Sequence, residues 1–191
     1  VAPLAYWSFL KLDINIDNSG HDQTLEFENG NPNTVSGVFG KNSISLDKGN
    51  FAKVELKIAA LYDLSIKKQL SASMWIKPIA KFTLSNGILT WSLNSLDYSL
   101  ISSQGWSLRL KQSRLCVYFH SLIIQQHPIG CSSIRNPMVP AKQWSHIGFT
   151  WDGAYLRIFL NGNLMPIGNT GTGEVERYKQ AMTYKSAVSN P

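Results

Sequence analysis

Oxygen-bearing side chains alternate near the N terminus at Asp13, Asn15 and Asp17. Alternate spacing places them on one side of an extended segment, and Ca²⁺ prefers oxygen ligands supplied by loops. The run does not follow the spacing of an EF-hand. The same residue types also form polar turns, because their side chains bond the local backbone. The sequence therefore predicts either a Ca²⁺ site at these three residues or a polar turn.

Positive charge is concentrated in the second half of the 191-residue chain, which has a formal net charge of +6. Residues 1–97 contain nine Lys/Arg and nine Asp/Glu, whereas residues 98–191 contain nine and three. No acidic residue lies between Tyr98 and Trp151. Such a region either attracts an anionic partner or merely aids solubility. The first interpretation predicts a basic face that binds sulfated glycosaminoglycan or an acidic protein and consists of Arg109, Lys111, Arg114, Arg135 and Lys142.

The motifs HExxH, GxSxG and GxxxxGK[ST], which mark common hydrolases and nucleotide-binding enzymes, are absent from the sequence. Glycosidases need two carboxylates that flank the scissile bond, and no E-x-D-x-E run occurs. Glu26 with Glu28 and Glu174 with Glu176 have strand spacing, but they lie in polar stretches where solvated charge is the ordinary explanation. We therefore expect a protein that is not an enzyme.

The two cysteines, Cys116 and Cys131, do not form a CxxC motif, so zinc binding and thioredoxin-like chemistry have no support. Each lies in or beside a strand-like run, which is the arrangement of a bridge across a hairpin. We expect a disulfide between them, with two buried free thiols as the alternative.

The segment Trp144–Gly162 has the pattern of a β-hairpin. Apolar residues alternate on both sides of Asp152-Gly153, and Asn161-Gly162 repeats this turn chemistry at the far end. Similar strand-like runs recur along the chain. One of them is Leu70–Pro78, in which Leu70 and every second residue as far as position 76 are apolar and share one face. Without runs of strong helix formers between them, these strands predict an all-β antiparallel fold.

The string WSHIGFTWDGAYLRIFLNGNL resembles the hairpin signature of the laminin-G-like and pentraxin-like branch of the concanavalin A-like jelly rolls. Tyr6-Trp7-Ser8-Phe9-Leu10 is similar to the opening strand of that family, and Asp17, Ser19 and Gly20 match its D-x-SG loop. The resemblance implies an antiparallel two-sheet jelly-roll β-sandwich. It also implies a secreted or ectodomain binding module, and several such domains hold Ca²⁺ at the rim of the sandwich.

Tryptophans have two possible roles in such a sandwich. Trp75, Trp144 and Trp151 are expected to fill the core, although aromatic side chains exposed on a sheet stack on sugars instead. Burial decides between these roles.

The resemblance weakens beyond Leu164, so we expect residues 1–170 to form the jelly-roll domain and residues 171–191 to be a polar C-terminal extension or truncated final strands. The predicted function is an extracellular, non-catalytic recognition or adhesion module that binds a glycan or a protein. The alternatives are a glucanase-like or sialidase-associated jelly roll that acts on polysaccharide, or a structural spacer. No apolar run approaches the 18 residues of a membrane span, and nothing indicates nucleic acid binding.

Overall fold

The computed structural model describes the residues numbered 3, 5–9, 14–28, 30, 32–40, 42–46, 52–54, 69–80, 85–92, 105–120, 130–132, 138–152, 155–167 and 174–175. The chain divides into two compact units, Val1–Tyr62 and Asp63–Pro191. Each unit is described by itself below.

The first unit contains two antiparallel strand pairs within its described residues. Its strands are β1 (Leu25–Phe27), β2 (Asn33–Ser36), β3 (Asn42–Ser45) and β4 (Ala52–Val54). Strand β1 pairs with β4, and β2 pairs with β3. A 3-10 turn at Val38–Gly40 lies between β2 and β3. The predicted opening strand spans residues 6–10, of which Leu10 lies outside the described residues. Residues 6–9 have no ladder partner in the described part of the chain, and they hydrogen-bond instead to the loop around Asp17.

The second unit contains two larger sheets. Its strands are β5 (Leu70–Ile76), β6 (Ser85–Ser92), β7 (Gly105–Lys111), β8 (Arg114–His120), β9 (Gly130–Cys131), β10 (Ser145–Trp151), β11 (Leu156–Leu160), β12 (Asn163–Met165) and β13 (Glu174–Val175). The five-stranded sheet has the order β12-β11-β10-β5, with β13 also paired to β11. The four-stranded sheet has the order β6-β7-β8-β9. All of these pairings are antiparallel.

The hairpin predicted from Trp144–Gly162 is confirmed as β10 and β11. Phe149 lies opposite Ile158, and the register continues over five residue pairs. The connection from β10 to β11 has four residues, and the Asp152 side chain accepts a hydrogen bond from the Tyr155 amide at 2.8 Å. The next turn is the two-residue type expected of Asn-Gly, because Asn161 and Gly162 have φ values of 51° and 80°.

One face of each large sheet is apolar and buried. In the five-stranded sheet the buried side chains belong to alternate residues, namely Ile147, Phe149, Trp151, Leu156, Ile158, Leu160 and Met165. In the four-stranded sheet they are Leu108, Leu110, Leu115 and Val117. Alternation of this kind is typical of sheets that bury one side in the core of a sandwich. The predicted all-β antiparallel jelly-roll sandwich is confirmed.

The predicted domain boundary at residue 170 falls outside the described residues and stays a prediction. Beyond it, Glu174–Val175 forms β13, and the rest of 171–191 lies outside the described residues. Within the part of the chain that the structure describes, no helix has the length and hydropathy needed to cross a membrane.

Candidate functional site

The five-stranded sheet has a second face, which is only partly covered. We call this the open face. Its residues alternate with the core residues along each strand, and the register places them side by side across the sheet. From one edge to the other they are Ser71, Ser73 and Trp75 on β5, His146, Gly148 and Thr150 on β10, Arg157 and Phe159 on β11, and Leu164 on β12.

Trp75 is the largest side chain on the open face. It lies directly opposite His146, and the two ring centroids are 5.1 Å apart. The tryptophan is 45% exposed, whereas Trp151 in the neighbouring strand is 3% exposed. The expectation that tryptophans fill the core is therefore right for Trp151 and wrong for Trp75, while Trp144 is half-buried. Trp75 faces outward because it alternates with Met74 and Ile76, which lie on the core side of β5.

Small residues form the floor of the open face beside Trp75. Ser73 and Gly148 are directly opposite each other, and the next residue across the sheet is Phe159, followed by the exposed Leu164. Neighbouring strands lie about 4.8 Å apart, so Trp75 and Leu164 mark the two sides of a strip about 14 Å wide. The open face thus has an exposed apolar side chain on each side, and Phe159 lies between Leu164 and the small residues of the floor.

The floor depends on Gly148. A Cβ atom built on this residue would lie 3.0 Å from the Ala72 carbonyl oxygen and 3.0 Å from the Ser73 Cβ. Both are too close, and neither belongs to a flexible side chain. Glycine therefore allows β5 and β10 to approach each other here.

Replacing Gly148 is expected to force these strands apart. We expect Gly148→Val to lower the free energy of unfolding by about 1–3 kcal/mol, as overpacking of a filled site does. Chemical denaturation measures this change. Thr150→Val serves as the control, because it places the same side chain two residues away on the same face. Equal stability of the two variants would contradict the close approach.

The end of the open face that is farther from Trp75 is polar. Arg157 lies opposite Thr150, and its Nη1 donates to Asp152 Oδ2 at 2.6 Å. The same guanidinium lies 5.5 Å from the centre of the Tyr155 ring. An ion pair at this degree of exposure contributes little stability, but it fixes the orientation of the arginine. Hydrogen-bonding groups thus border the strip between Trp75 and Leu164 at one end.

Three of the five predicted basic residues are brought together by the hairpin of β7 and β8. Lys111 lies opposite Arg114, and Arg109 lies opposite Cys116, so all three cations share the polar face of the four-stranded sheet. Lys142 is exposed on a separate segment, where its backbone amide donates a hydrogen bond to the Pro78 carbonyl oxygen. Arg135 lies outside the described residues. The predicted basic face therefore contains a compact cluster of three residues, which we call the hairpin cluster.

The disulfide between Cys116 and Cys131 is formed. Its residues are direct partners in the pairing of β8 with β9, which agrees with the predicted bridge across a hairpin. Cys116 is fully buried on the polar face beside Arg109. The bridge thus fixes the short strand β9 to the strand that carries Arg114.

Asp17, a predicted calcium ligand, anchors a turn. Its Oδ1 accepts hydrogen bonds from the amides of Tyr6 and Ser19, and its Oδ2 accepts from the Ser19 hydroxyl and the Gln23 amide. Burial by itself raises the pKa of the carboxyl, but these hydrogen bonds outweigh that effect and hold the pKa at about 2.

These bonds fit a polar turn better than a calcium site. Both oxygens of Asp17 are occupied by protein donors, and the Asn15 carbonyl accepts from the Leu25 amide. Asp13 lies outside the described residues. No group of three metal-binding acidic, histidine or cysteine side chains occurs within the described ranges. Calcium binding at Asp13, Asn15 and Asp17 stays a prediction.

The fold and these surfaces can be compared with known proteins. A laminin G family model, described as the concanavalin A-like lectin/glucanases superfamily, matches residues 48–184. The chain belongs to this superfamily. The predicted resemblance, which rested on the β10–β11 hairpin, is thereby confirmed. No curated protein matches the chain in sequence.

Solved structures with a similar fold include domain 4 of an extracellular arabinanase from Geobacillus stearothermophilus, in complex with arabinotriose. It has a TM-score of 0.59 and 16% identity, over 89% of this chain and 79% of that one. The binding domain of botulinum neurotoxin DC, in complex with rat synaptotagmin II, also has a TM-score of 0.59, with 18% identity over 86% of this chain and 39% of that one.

A structure of botulinum neurotoxin type C, whose cell entry depends on two ganglioside molecules, has a TM-score of 0.55 and 17% identity, over 84% of this chain and 38% of that one. This superfamily member therefore spans less than half of either neurotoxin chain. The similar structures include domains that bind a glycan or a protein. At these identities the likeness shows the fold.

The open face was the site that sequence analysis missed. A signal for it was present, because the alternation in β5 that assigns Leu70 and its alternate neighbours to the core also assigns Trp75 to the opposite face. Phe159 carries the same signal in β11, where it alternates with the buried Ile158 and Leu160. The pattern assigns each residue to a face, but it does not say whether another segment covers that face.

Proposed function

We propose that this superfamily member is an extracellular, non-catalytic recognition module that binds a neutral glycan on its open face. The observation that carries the proposal is the exposure of Trp75 beside His146 on the open face. Trp75 and Leu164 are each 45% exposed on this face, and exposed apolar side chains that lie together on a surface mark an interaction site. Aromatic rings present a flat apolar surface to the C–H faces of a sugar, while serine and threonine hydroxyls on the floor bond its hydroxyl groups.

The similar structures support a binding role. Domain 4 of the arabinanase was solved with arabinotriose, and the neurotoxin domains engage synaptotagmin or gangliosides. The acidic residues in the described part of the second unit are Asp152 and Glu174, and Asp152 is paired with Arg157. Glycosidases employ two carboxylates at one site, and the absence of an E-x-D-x-E run from the sequence favours a non-catalytic role.

An extracellular location is part of the proposal. Structural disulfides persist in oxidising compartments, and Cys116 and Cys131 form one between paired strands. The superfamily to which the chain belongs includes lectins, which supports recognition of glycans outside the cell.

The test is a glycan array that carries neutral oligosaccharides, among them arabinotriose and desialylated ganglioside head groups. We expect Trp75→Ala to weaken binding of the best ligand about thirtyfold, because a central tryptophan contributes about 2 kcal/mol to many interfaces. The control is Met138→Ala, which removes a side chain that is 51% exposed and lies outside the strands of the five-stranded sheet. Titration calorimetry measures both affinities.

Two results would overturn this assignment. Undiminished affinity in Trp75→Ala would remove the open face as the binding site. Absence of any neutral ligand on the array, for protein whose circular dichroism shows an intact β fold, would remove the proposed ligand class.

A further inference from the structure

The hairpin cluster concentrates positive charge on one small surface. Lys111 and Arg114 are direct cross-strand partners at the end of the hairpin, and Arg109 is diagonal to Arg114. Directly opposed side chains have Cβ atoms about 5 Å apart, and like charges in such positions repel each other. The hairpin therefore places three cations together at a cost in folding stability, which a bound anion would offset.

No carboxylate in the described part of the chain pairs with these cations. The sequence between Tyr98 and Trp151 contains none, so the strands that carry the cluster cannot supply one. The ion pair of Arg157 with Asp152 belongs to the other sheet. Within the described ranges, the charge of the hairpin cluster is therefore not balanced by a carboxylate.

Arg109 is held in position by two contacts. Its Nε donates to the Ser107 hydroxyl at 2.9 Å, and its guanidinium carbon lies 4.8 Å from the centre of the Tyr118 ring. Ser107 and Tyr118 are both buried, so the arginine rests on a rigid base. Its two terminal nitrogens have no acceptor among the described residues. A guanidinium held in this orientation can donate two parallel hydrogen bonds to one anion.

Partial burial strengthens the attraction between the Arg109 guanidinium and a bound anion. Desolvation lowers the pKa of Arg109, with a partial opposing effect from Tyr118, although a guanidinium remains protonated at neutral pH. A half-buried cation that lacks a counter-charge gains more from an anion than a fully hydrated one does. The Nε of Arg114 is likewise buried without a hydrogen-bond partner in the described chain.

We propose that the hairpin cluster is a binding site for a sulfate group carried on a polysaccharide. A sulfate ester presents several oxygens to the two arginines and the lysine, and it keeps its charge at every physiological pH. The choice of a polysaccharide rests on the proposed glycan-binding function. The site is separate from the open face, because the cluster lies on β7 and β8 of the four-stranded sheet and Trp75 lies in the five-stranded sheet.

Heparin oligosaccharide is the probe, and calorimetry at several salt concentrations measures its affinity for the full chain. We expect Lys111→Glu with Arg114→Glu to weaken binding at least about tenfold and to reduce its dependence on salt, because fewer charges are then screened. The charge-matched control is Lys77→Glu with Lys142→Glu, which reverses two exposed lysines outside the cluster. Equal losses in both double variants would overturn the site in favour of general charge.

A second variant separates geometry from charge. Arg109→Lys keeps the positive charge but removes the planar fork, and we expect it to weaken heparin binding about threefold or more. An affinity equal to that of the wild type would overturn the role given to Arg109. Circular dichroism confirms that each variant retains its β spectrum.

Two further ligands test whether the hairpin cluster prefers a sulfated polysaccharide to other anions. Hyaluronate carries carboxylates without sulfate, and polyglutamate is an acidic peptide; we expect both to bind at least about tenfold more weakly than heparin of similar charge. Polyglutamate binding as tight as heparin would overturn the polysaccharide in favour of an acidic protein. Heparin binding that survives in Trp75→Ala would support the site independently of the open face. Failure to bind heparin, with neutral glycans still bound, would overturn this proposal alone.

Discussion

Asp17→Ala is expected to lower the free energy of unfolding of the first unit by about 3 kcal/mol. The carboxylate accepts four hydrogen bonds from donors in three parts of the N-terminal segment, at Tyr6, Ser19 and Gln23. Alanine leaves these donors unpaired, and each buried donor without a partner costs about 1–3 kcal/mol when water cannot reach it. Partial access of water to this turn keeps the total below the sum of four such costs.

The charge of Asp17 makes this stability depend on pH. The folded-state pKa of about 2 lies below the ordinary value of 3.8, so the stabilisation is fully present above about pH 4 and is lost as the pH falls through about 2. The difference corresponds to about 2 kcal/mol. NMR of the carboxyl carbon measures the titration directly, and amide hydrogen exchange at Tyr6 and Gln23 measures the local stability.

Asp22→Asn is the matched control for Asp17. Asp22 is an exposed carboxylate in the same loop, and asparagine tolerates its φ of 57°. We expect this variant to change stability by less than about 0.5 kcal/mol. A loss in Asp22→Asn as large as that in Asp17→Ala, or an ordinary titration of Asp17, would contradict the anchoring role.

Strand positions could be predicted from the sequence where one face of a strand is buried. In β10 and β11 every second residue enters the core, so the period of two and the Asn-Gly turn determine both the strands and their register. The same alternation in β7 puts Arg109 and Lys111 on one face. The opening segment at Tyr6 was harder, because a short aromatic run does not reveal whether its backbone pairs with a strand or with a loop.

The functional surfaces were less predictable, because exposure depends on what packs against a face. Trp75 has the residue type of a core side chain, and only the three-dimensional arrangement shows that its face is partly open. Arg109 differs from its expected exposure in the opposite direction. A charged residue is expected to be solvated, but its guanidinium is half-buried over the Tyr118 ring. The pairing of Asp17 with four donors could not be derived from spacing, because turn anchors and calcium ligands use the same residue types.

The disulfide is expected to contribute about 3 kcal/mol to the stability of the second unit. The bridge joins residues 15 apart in sequence, and in the chain-entropy model a closed loop of this length stabilises by about that amount. Strand β9 has two residues, so few ladder hydrogen bonds would hold it to β8 without the covalent link. Loss of the bridge is therefore expected to release β9 first.

Guanidinium unfolding of oxidised and reduced wild-type protein tests this contribution with every side chain retained. Cys116→Ala with Cys131→Ala gives a second estimate, and its loss includes a cavity term because Cys116 is fully buried. Val117→Ala is the control, since it truncates another fully buried side chain of β8 without breaking a covalent bond or a side-chain hydrogen bond. Because Arg109 lies opposite Cys116, heparin affinity is expected to fall when the bridge is reduced. An unfolding midpoint that is the same in oxidised and reduced protein would contradict a stabilising bridge.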